Sequence, residues 1–292
     1  MTYLKKQAIC IQCHDKPELV NSLIRILPEK LFDIFIHVDK KSSMIDKIDR
    51  KSNVFLCQKR IDVRWGQYSQ IEATISMLKM FDPLNYTYVH LISGQDYIIK
   101  KPSVLYDFFS ATDKEYIGCT KLPEDSAWSR GGWDRYSVYY PLWMIDRPAN
   151  KLKRLVRLLY REFIFYTKVF QRRNKPVEKF YGGSSWWSLT GPCVKYIRDY
   201  IEQNPEYDSF FKHSICCDEV YFQTLVMLSP FADKVDSDCL RYMIWEGTIT
   251  GGPRILQQSD LAKAVSSEMM FGRKFESLDV INALLDQVQL LR

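Results

Sequence analysis

The sequence predicts an α/β protein with a mixed, mostly parallel central sheet flanked by helices. Between residues 7 and 94, apolar stretches of strand length alternate with stretches of helical spacing. Strands that alternate with helices favour parallel pairing through right-handed crossovers. The second half is less regular and contains no internal repeat and no linker rich in Gly and Ser. A single domain over residues 1–292 is therefore the simplest architecture.

The first half is predicted to contain four strands and two helices. Strands are predicted over 7–13, 32–39, 52–58 and 86–94, and helices over 16–27 and 69–81, the second with Ser69 as its N-cap. In parallel sheets the ligand binds beyond the carboxyl ends of the strands. The polar and aromatic residues that end these strands are therefore site candidates: His37, Asp39, Lys40, Arg64, Trp65, Ser93, Gln95 and Asp96.

The second half is predicted to finish the domain with shorter elements. Residues 180–205 read as a loop, a strand and a helix that begins after Pro192. Further helices are predicted over 218–228, 259–267 with Ser259 as its cap, and 277–292, and a further strand over 241–247.

Composition narrows the class of protein. Of the 292 residues, 46% are hydrophobic, which is enough for a substantial core. No stretch approaches the roughly 18 uninterrupted apolar residues that a membrane helix requires. The N-terminal residues include two lysines and a short apolar run, without a small-residue cleavage site after them. We therefore expect a cytoplasmic protein without a signal peptide.

The eight cysteines are scattered and lie mostly in apolar stretches. Reduced thiols are typical of cytosolic proteins. Cys10 and Cys13 have the C-x-x-C spacing of redox and zinc half-sites, but they lie within a predicted strand instead of opening a helix. Buried, reduced thiols are the favoured interpretation.

One segment accounts for the whole net positive charge of the chain. Residues 147–179 contain eleven basic and two acidic residues, whereas the formal charge of the entire chain is +6. Leucines and aromatic residues alternate with the basic ones over 151–173, a pattern suited to the surface of an anionic membrane. The alternative is an amphipathic helix packed on the core with a solvated basic face.

The usual phosphate-binding motifs are absent from the sequence. It has no G-x-x-x-x-G-K-[ST], and no G-x-G-x-x-G follows the first strand, which disfavours ATP and NAD sites. Enzymes that use nucleotide sugars often carry Asp-X-Asp at a strand end, where carboxylates bind a divalent ion. The triplet "DSD" at 236–238 lies late and in a predicted loop, so we expect a solvated loop and no metal.

Without a metal ion, fixed basic side chains would have to stabilise a departing diphosphate. Arg254 follows the glycine turn "TGGPR" (250–254), and Arg273 and Lys274 lie in "FGRKF" (271–275). Positive charge fixed beside a developing oxyanion lowers the barrier of its reaction. Solvated basic residues are the alternative.

The stretch "CCDEVYFQT" (216–224) allows a metal site, a redox pair or one catalytic carboxylate. Asp218 and Glu219 open a predicted helix, where Asp218 suits the N-cap and Glu219 is free to point elsewhere. A general base for a hydroxyl acceptor requires one positioned carboxylate. Glu219 is the candidate.

Two stretches combine aromatic rings with hydrogen-bonding groups. "RGGWDRY" (130–136) and "GGSSWW" (182–187) could form a saccharide pocket, in which rings stack on sugars and polar groups bind hydroxyls. Ser184, Ser185 and Trp186 belong to this predicted pocket. Buried core aromatics explain Trp186 and Trp187 equally well.

Together, several stretches resemble a known family. "IFIHVDKKS", "VRWGQYSQIEATISML", "YVHLISGQDYIIK", "GGSSWWSLT", "DEVYFQT" and "FGRKF", in this order, are similar to the core-2/I-branching β-1,6-N-acetylglucosaminyltransferase and peptide O-xylosyltransferase family. The resemblance covers about residues 7–276. It implies a GT-A type fold, a UDP-sugar donor without a metal ion, and inversion at the anomeric carbon by single displacement.

The resemblance also implies roles for individual residues. Glu219 matches the catalytic base, and Lys274, with Arg254 as a less secure match, corresponds to the basic pair that holds the diphosphate. His37, Asp39 and Lys40 are expected near the nucleotide, where Trp65 and Asp96 at neighbouring strand ends would join them. Trp133, Arg135 and Tyr136 match the segment that contacts the sugars.

Unlike the animal enzymes, this sequence shows no membrane anchor, stem or array of lumenal disulfides. We therefore expect a bacterial cytoplasmic member that acts on a glycan or lipid-linked oligosaccharide, with residues 147–179 contacting the membrane. Transfer of another sugar, such as glucose, galactose or glucuronate, remains open. A rival interpretation is a non-catalytic protein that binds saccharides or nucleic acid, although no nucleic-acid module is recognisable and no nucleic-acid partner is expected.

Overall fold

The structure is a computed structural model that describes residues 5–145, 151–169, 171–246 and 252–289. Arg147, counted above in the basic segment, and Gly251 of the predicted glycine turn lie outside these ranges. The ends of the predicted domain and of the predicted helix 277–292 lie outside them as well.

The strands alternate with helices over the first half of the chain, as predicted. The strands are β1 (Gln7–Cys13), β2 (Phe32–Val38), β3 (Val54–Leu56), β4 (Tyr88–Ser93), β5 (Asp96–Ile98), β6 (Glu115–Ile117), β7 (Thr120–Leu122), β8 (Phe180–Gly182), β9 (Trp187–Thr190), β10 (Val235–Asp236), β11 (Arg241–Met243) and β12 (Phe271–Arg273). The helices are α1 (Pro17–Ile26), α2 (Ser69–Leu78), α3 (Pro102–Ser110), α4 (Asp134–Ser137), α5 (Leu142–Ile145), α6 (Lys151–Thr167), α7 (Gly191–Gln203), α8 (Pro205–Phe211), α9 (Tyr221–Leu228), α10 (Leu261–Ser266) and α11 (Leu278–Gln287).

The main sheet has the strand order β10-β6-β9-β4-β1-β2-β3 within the described ranges. Strand β1 is parallel to β2 and β4, β2 is parallel to β3, and β6 is parallel to β10. Strand β9 runs antiparallel to both β4 and β6. The prediction of an α/β fold with a mixed, mostly parallel sheet flanked by helices is therefore confirmed.

Side chains of β1 alternate between the two faces of the sheet. Ala8 and Cys10 belong to one hydrophobic cluster, whereas Ile9, Ile11 and Cys13 belong to the other. A strand turns successive side chains to opposite faces, so residues three apart point away from each other. The C-x-x-C spacing thus places its two thiols in separate cores, which leaves no shared redox or metal site.

A second sheet has the strand order β11-β12-β5. Arg241 at the start of β11 is buried and donates to the carbonyl oxygens of Trp187 (2.7 Å) and Leu91 (3.2 Å) and to Ser188 Oγ (3.1 Å). Burial lowers the pKa of this guanidinium. Charge-assisted hydrogen bonds from a buried cation therefore hold β11 on β4 and β9.

Several predicted helix starts and one strand end differ in the structure. Tyr68, not Ser69, is the N-cap of α2, and Ser69 Oγ accepts a hydrogen bond from the Arg64 N–H (2.8 Å) instead. A 3₁₀ turn over 258–260 precedes α10, with Gln257 and Asp260 forming a capping box. Helix α7 begins at Gly191, before Pro192, and β11 ends at Met243.

Candidate active site

The turn before α9 carries the two adjacent carboxylates. A 3₁₀ turn spans Cys217–Glu219, and Val220 is the N-cap of α9, without a side-chain cap. The prediction that Asp218 caps this helix is therefore wrong. Asp218 instead accepts hydrogen bonds from Ser185 Oγ (2.6 Å) and Gln70 Nε2 (3.0 Å), which ties the turn to two other segments.

Glu219 is held by Arg135 of α4. Its Oε2 accepts hydrogen bonds from Nε (3.1 Å) and a terminal nitrogen (2.8 Å) of that guanidinium, which also lies 3.8 Å above the ring of Trp128. The Glu219 side chain remains 33% exposed. The structure thus joins two residues predicted for the site, one as base and one as sugar contact, and it adds Trp128, which the sequence analysis did not single out.

Burial raises the pKa of Glu219, the Arg135 charge opposes this increase, and the neighbouring Asp218 adds to it. Burial also raises the pKa of Asp218, against its hydrogen bond from Ser185. A carboxylate with a raised pKa is a stronger base than an exposed one, and a cation that faces it favours its deprotonated form. Glu219 therefore has the properties of a general base.

Replacement of Arg135 should shift the pH dependence of any reaction that uses Glu219 as base. The base works only when deprotonated, so activity is present above the pKa of Glu219 and is lost as pH falls through it. Arg135→Gln removes the interaction that lowers this pKa, and the acid limb of kcat/KM should move to higher pH. Arg135→Lys should move it less. An unchanged acid limb in Arg135→Gln would contradict the assignment.

Residues 183–186 form a turn that connects the carboxylates to the other side of the site. The Gly183 N–H donates to the Glu219 carbonyl oxygen (2.9 Å), and a Cβ at Gly183 would lie 1.8 Å from the Gly118 carbonyl oxygen. Only glycine permits this approach. Ser184 accepts at its carbonyl oxygen from Gln223 Nε2 (2.6 Å), while Ser185 donates to Asp218 as described above.

The other end of this turn contacts β12. Trp186 is buried, and the Arg273 guanidinium lies 4.7 Å from the centre of its ring. Arg273 also donates to Asp96 Oδ1 (2.7 Å) and Ser93 Oγ (2.6 Å). Arg273 therefore compensates the negative charge of Asp96. The predicted contact of Asp96 with the nucleotide stays a prediction.

Lys274 directly follows this cluster. Its carbonyl oxygen accepts from the Leu256 N–H (2.8 Å), and its Nζ lies beside Gly252, where a Cβ would be 3.2 Å from it. Burial, followed by the charge of Arg273, lowers the pKa of Lys274. A half-buried ammonium next to a second cation is a suitable place for an anion.

Arg254 is paired differently from what its predicted role requires. It donates to both oxygens of Asp260 (2.7 and 2.8 Å) and forms an ion pair with Glu246 (2.9 Å). These hydrogen bonds raise its pKa. Because two carboxylates compensate this guanidinium, the geometry gives no support to the predicted contact between Arg254 and a diphosphate. Arg254 instead stabilises the conformation of residues 252–260.

The carboxyl ends of β2 and β4 lie at the same edge of the sheet, on either side of β1. Gln12 of β1 pairs with His37 on one side and with Ser93 on the other. His37 Nε2 accepts from the Ile61 N–H (2.9 Å), and burial lowers its pKa to about 4, so the ring is neutral at pH 7. The carboxyl ends of these strands thus form one edge, as predicted for a parallel sheet.

The loop that follows β2 is held by basic residues. Asp39 accepts from the Lys41 N–H (2.8 Å), and Arg60 donates to the carbonyl oxygens of Asp39 (2.6 Å) and Lys40 (3.2 Å). Trp65 is 58% exposed. Its neighbour Gly66 accepts at its carbonyl oxygen from the Cys216 N–H (2.8 Å), which brings the Trp65 segment beside the turn of Glu219.

Trp133 and Tyr136 lie in the core. The Trp133 ring packs against Phe165 with ring centroids 5.1 Å apart, and Tyr136 stacks on Phe180 at 4.6 Å. Both residues are buried, with 7% and 6% of their surface exposed. The predicted stacking of these rings on a sugar therefore finds no support in this arrangement.

The triplet at 236–238 is engaged in structural contacts. Lys114 donates to Asp236 (3.0 Å), and Asp238 accepts from the Leu240 N–H (2.7 Å). In the part of the chain that the structure describes, no three His, Cys, Asp or Glu side chains converge as ligands for a metal ion. Metal independence stays a prediction.

No helix within the described ranges is both long enough and apolar enough to cross a bilayer.

Known proteins provide an independent comparison. Residues 15–269 match the model of the Core-2/I-Branching enzyme family. The chain is similar to the beta-glucuronosyltransferase GlcAT14A of Arabidopsis thaliana, with 28% identity over 127 residues, which span 42% of this chain and 28% of that protein. It is distantly similar to the crystal structure of residues 1–349 of S. aureus TarS, with a TM-score of 0.31 and 13% identity over 65% of this chain and 48% of that one. Since the family model covers most of its residues, the chain belongs to the Core-2/I-branching enzyme family.

Proposed function

We propose that the protein transfers a GlcNAc-like or xylose-like sugar from a UDP-sugar to a hydroxyl group of a glycan, with inversion and without a metal ion. One observation carries this proposal: the partly exposed Glu219, oriented by Arg135, lies on one side of the turn 183–186, and Lys274, which follows the Arg273–Asp96 ion pair, lies on the other. A single displacement needs a base and an anion stabiliser on opposite sides of the reacting carbon.

In the proposed reaction, Glu219 accepts the proton of the acceptor hydroxyl while that oxygen attacks the anomeric carbon. The bond between the anomeric carbon and the diphosphate oxygen breaks, and the electron pair leaves with UDP. Lys274 stabilises the charge that develops on the diphosphate. The acceptor proton ends on Glu219 and passes to solvent when the products leave.

The similarity to a plant beta-glucuronosyltransferase supports keeping glucuronate among the alternative donors. We therefore propose to measure enzyme-dependent UDP release from UDP-GlcNAc, UDP-xylose, UDP-glucose, UDP-galactose and UDP-glucuronate, each with and without EDTA. Release from one donor, insensitive to EDTA, supports the proposal. Inhibition by EDTA that Mn²⁺ reverses would contradict metal independence. Binding of oligonucleotides without binding of UDP would favour the non-catalytic rival.

We further propose that α6 places the protein at the inner face of an anionic bacterial membrane, where a lipid-linked oligosaccharide could serve as acceptor. One face of α6 carries exposed apolar side chains, among them Leu152 (68% exposed), Leu159 (59%) and Tyr166 (75%). Residues at this spacing lie on one side of a helix. Lys151 and Lys153 flank the stripe at its N-terminal end, which suits the boundary of an anionic bilayer.

The membrane contact predicts a specific effect of polar substitutions on this outer stripe. Leu152→Ser combined with Leu159→Ser should lower co-sedimentation with phosphatidylglycerol vesicles about tenfold or more, because each exposed leucine contributes roughly 1.5–3 kcal/mol when fully buried. Leu84→Ser, at an exposed leucine away from α6, is the matched control. Equal binding by the double variant and the parent, or no binding by either, would exclude this contact.

A further inference from the structure

On α6 the leucines are exposed, whereas Arg157 and Arg161 on the opposite face are partly buried and Arg154, on the same face as these two arginines, is exposed. Arg154, Arg157 and Arg161 have the spacing of one helix face, opposite the exposed stripe that contains Leu152 and Leu159. A cation that is partly removed from water loses part of its hydration, which an anionic partner can compensate. Arg157 and Arg161 are therefore suited to bind an anion.

These three arginines line a cavity of about 300 Å³ between α6 and the α4 region. Its other lining residues are Asp134, Tyr140, Leu158 and Ile215. The three cations face one carboxylate in the lining, Asp134, which lies 3.8 Å from both Arg161 and Arg135, and Arg161 also pairs with Glu162 at 3.4 Å. The cavity retains an excess of positive charge.

Part of the hydrogen-bonding capacity of the arginines is also unused, although Arg161 donates to Glu162 (3.4 Å). Within the described ranges, Arg154 and Arg157 form no hydrogen bond or ion pair, and the buried Nε of Arg161 has no hydrogen-bond partner. Guanidinium groups bind carboxylates and phosphates through paired N–H donors. An oxyanion in the cavity would satisfy both the charge and the donors.

The cavity is connected to the candidate base. Arg161 approaches Asp134 (3.8 Å), Asp134 approaches Arg135 (3.8 Å), and Arg135 donates to Glu219 (2.8 Å). An anion held here would therefore lie on the acceptor side of the site, because the cations proposed for the donor diphosphate lie across the turn 183–186.

We infer that this cavity binds an anionic group of the acceptor, the carboxylate of an acidic sugar or a phosphate on a sugar, and so selects acidic glycans. The inference rests on the proposed function, since it assumes that Glu219 marks the acceptor side. A phospholipid headgroup is disfavoured as the occupant, because the arginines point away from the stripe proposed to face the bilayer.

The test measures binding, not turnover. At saturating UDP, methyl β-D-glucuronide and glucose 6-phosphate should each be titrated calorimetrically, with methyl β-D-glucoside as the neutral ligand and dihexanoyl phosphatidylglycerol as the lipid. We expect at least one acidic sugar to bind more tightly than the neutral one. Arg157→Gln should weaken that binding about tenfold or more, as expected for a hydrogen-bonded charged pair. Lys151→Gln, on the same helix but outside the cavity, should not.

Arg154→Gln provides a second variant, and thermal melting of both variants checks that they fold. The inference would be overturned if the neutral glucoside bound as tightly as both acidic sugars, or if Arg157→Gln bound the acidic sugar as tightly as the parent does. Binding of the lipid, without binding of either acidic sugar, would overturn it as well. UDP release in the absence of acceptor should be the same in parent and variants. If the parent released no UDP but still bound the acidic sugar selectively, the proposed function would be rejected and the anion site would be retained.

Discussion

Glu219→Gln should lower the turnover of sugar transfer by about 10²- to 10⁴-fold, the range that a positioned general base contributes. Glutamine has nearly the same shape, and its amide oxygen can still accept the hydrogen bonds of Arg135. What it lacks is the capacity to take the proton of the acceptor hydroxyl. The affinity for UDP should stay unchanged, because the cations proposed for the diphosphate lie on the other side of the turn 183–186.

The measurement combines UDP release in the presence of acceptor with calorimetric titration of UDP. Glu202→Gln, at an exposed position of α7, is the matched control and should retain full turnover. A Glu219→Gln protein with turnover close to that of the parent would refute the assignment of the base. Loss of UDP binding in this variant would instead indicate that Glu219 organises the donor site.

Lys274→Ala should produce the second-largest loss, about 100-fold in turnover, as for removal of one fixed donor to a developing oxyanion. The charge on the diphosphate grows as its bond to the sugar breaks, so the ammonium stabilises the transition state more than the bound donor. UDP affinity should fall as well. Lys274→Arg, which keeps the charge, should recover part of the loss, and Lys263→Ala, on the surface of α10, should change nothing.

Arg254 provides a contrast with Lys274. Since Asp260 and Glu246 already compensate its charge, Arg254→Gln should affect turnover less than Lys274→Ala, through the position of residues 252–260. If Arg254→Gln caused the larger loss of turnover at unchanged stability, Arg254 would be the diphosphate partner and the ion pairs seen here would exchange when the donor binds.

Local sequence patterns predicted the strands that build the centre of the fold. Strands β1, β2 and β4 are long apolar runs, and their burial leaves little ambiguity about their type. Strands such as β5, β7 and β12 have three residues each, too few for a period to show. The antiparallel direction of β9 depends on its pairing with β4 and β6, which are distant in sequence.

The sequence predicted which residues belong to the site but not which residues contact them. Glu219 and Lys274 were identified from motifs, whereas the partner of Glu219, Arg135, comes from 84 residues earlier in the chain. The capping role of Asp218 failed because Ser185 and Gln70 compete for its oxygens. Similarly, nothing near Arg254 in the sequence indicated that Glu246 and Asp260 would both fold onto it.

The sequence also could not predict which face of α6 contacts the rest of the protein. Its pattern predicted an amphipathic helix, but either face could have been turned to the protein. Tertiary contacts decide the matter: Ile164 is buried, Arg130 lies 3.9 Å from the Phe165 ring centroid, and Arg130 pairs with Glu162 at 2.5 Å. These contacts anchor the C-terminal half of the helix and leave Arg157 and Arg161 partly buried.

That anchoring has a consequence for local stability. In the described part of α6, Ile164 is the fully buried apolar residue, so few apolar contacts oppose separation of the helix from the domain. Segments with little buried apolar surface open at a lower cost in free energy than the central sheet. Amide protons of α6 should therefore exchange with solvent sooner than those of β1 and β4, and an occupied cavity beneath the helix should slow that exchange.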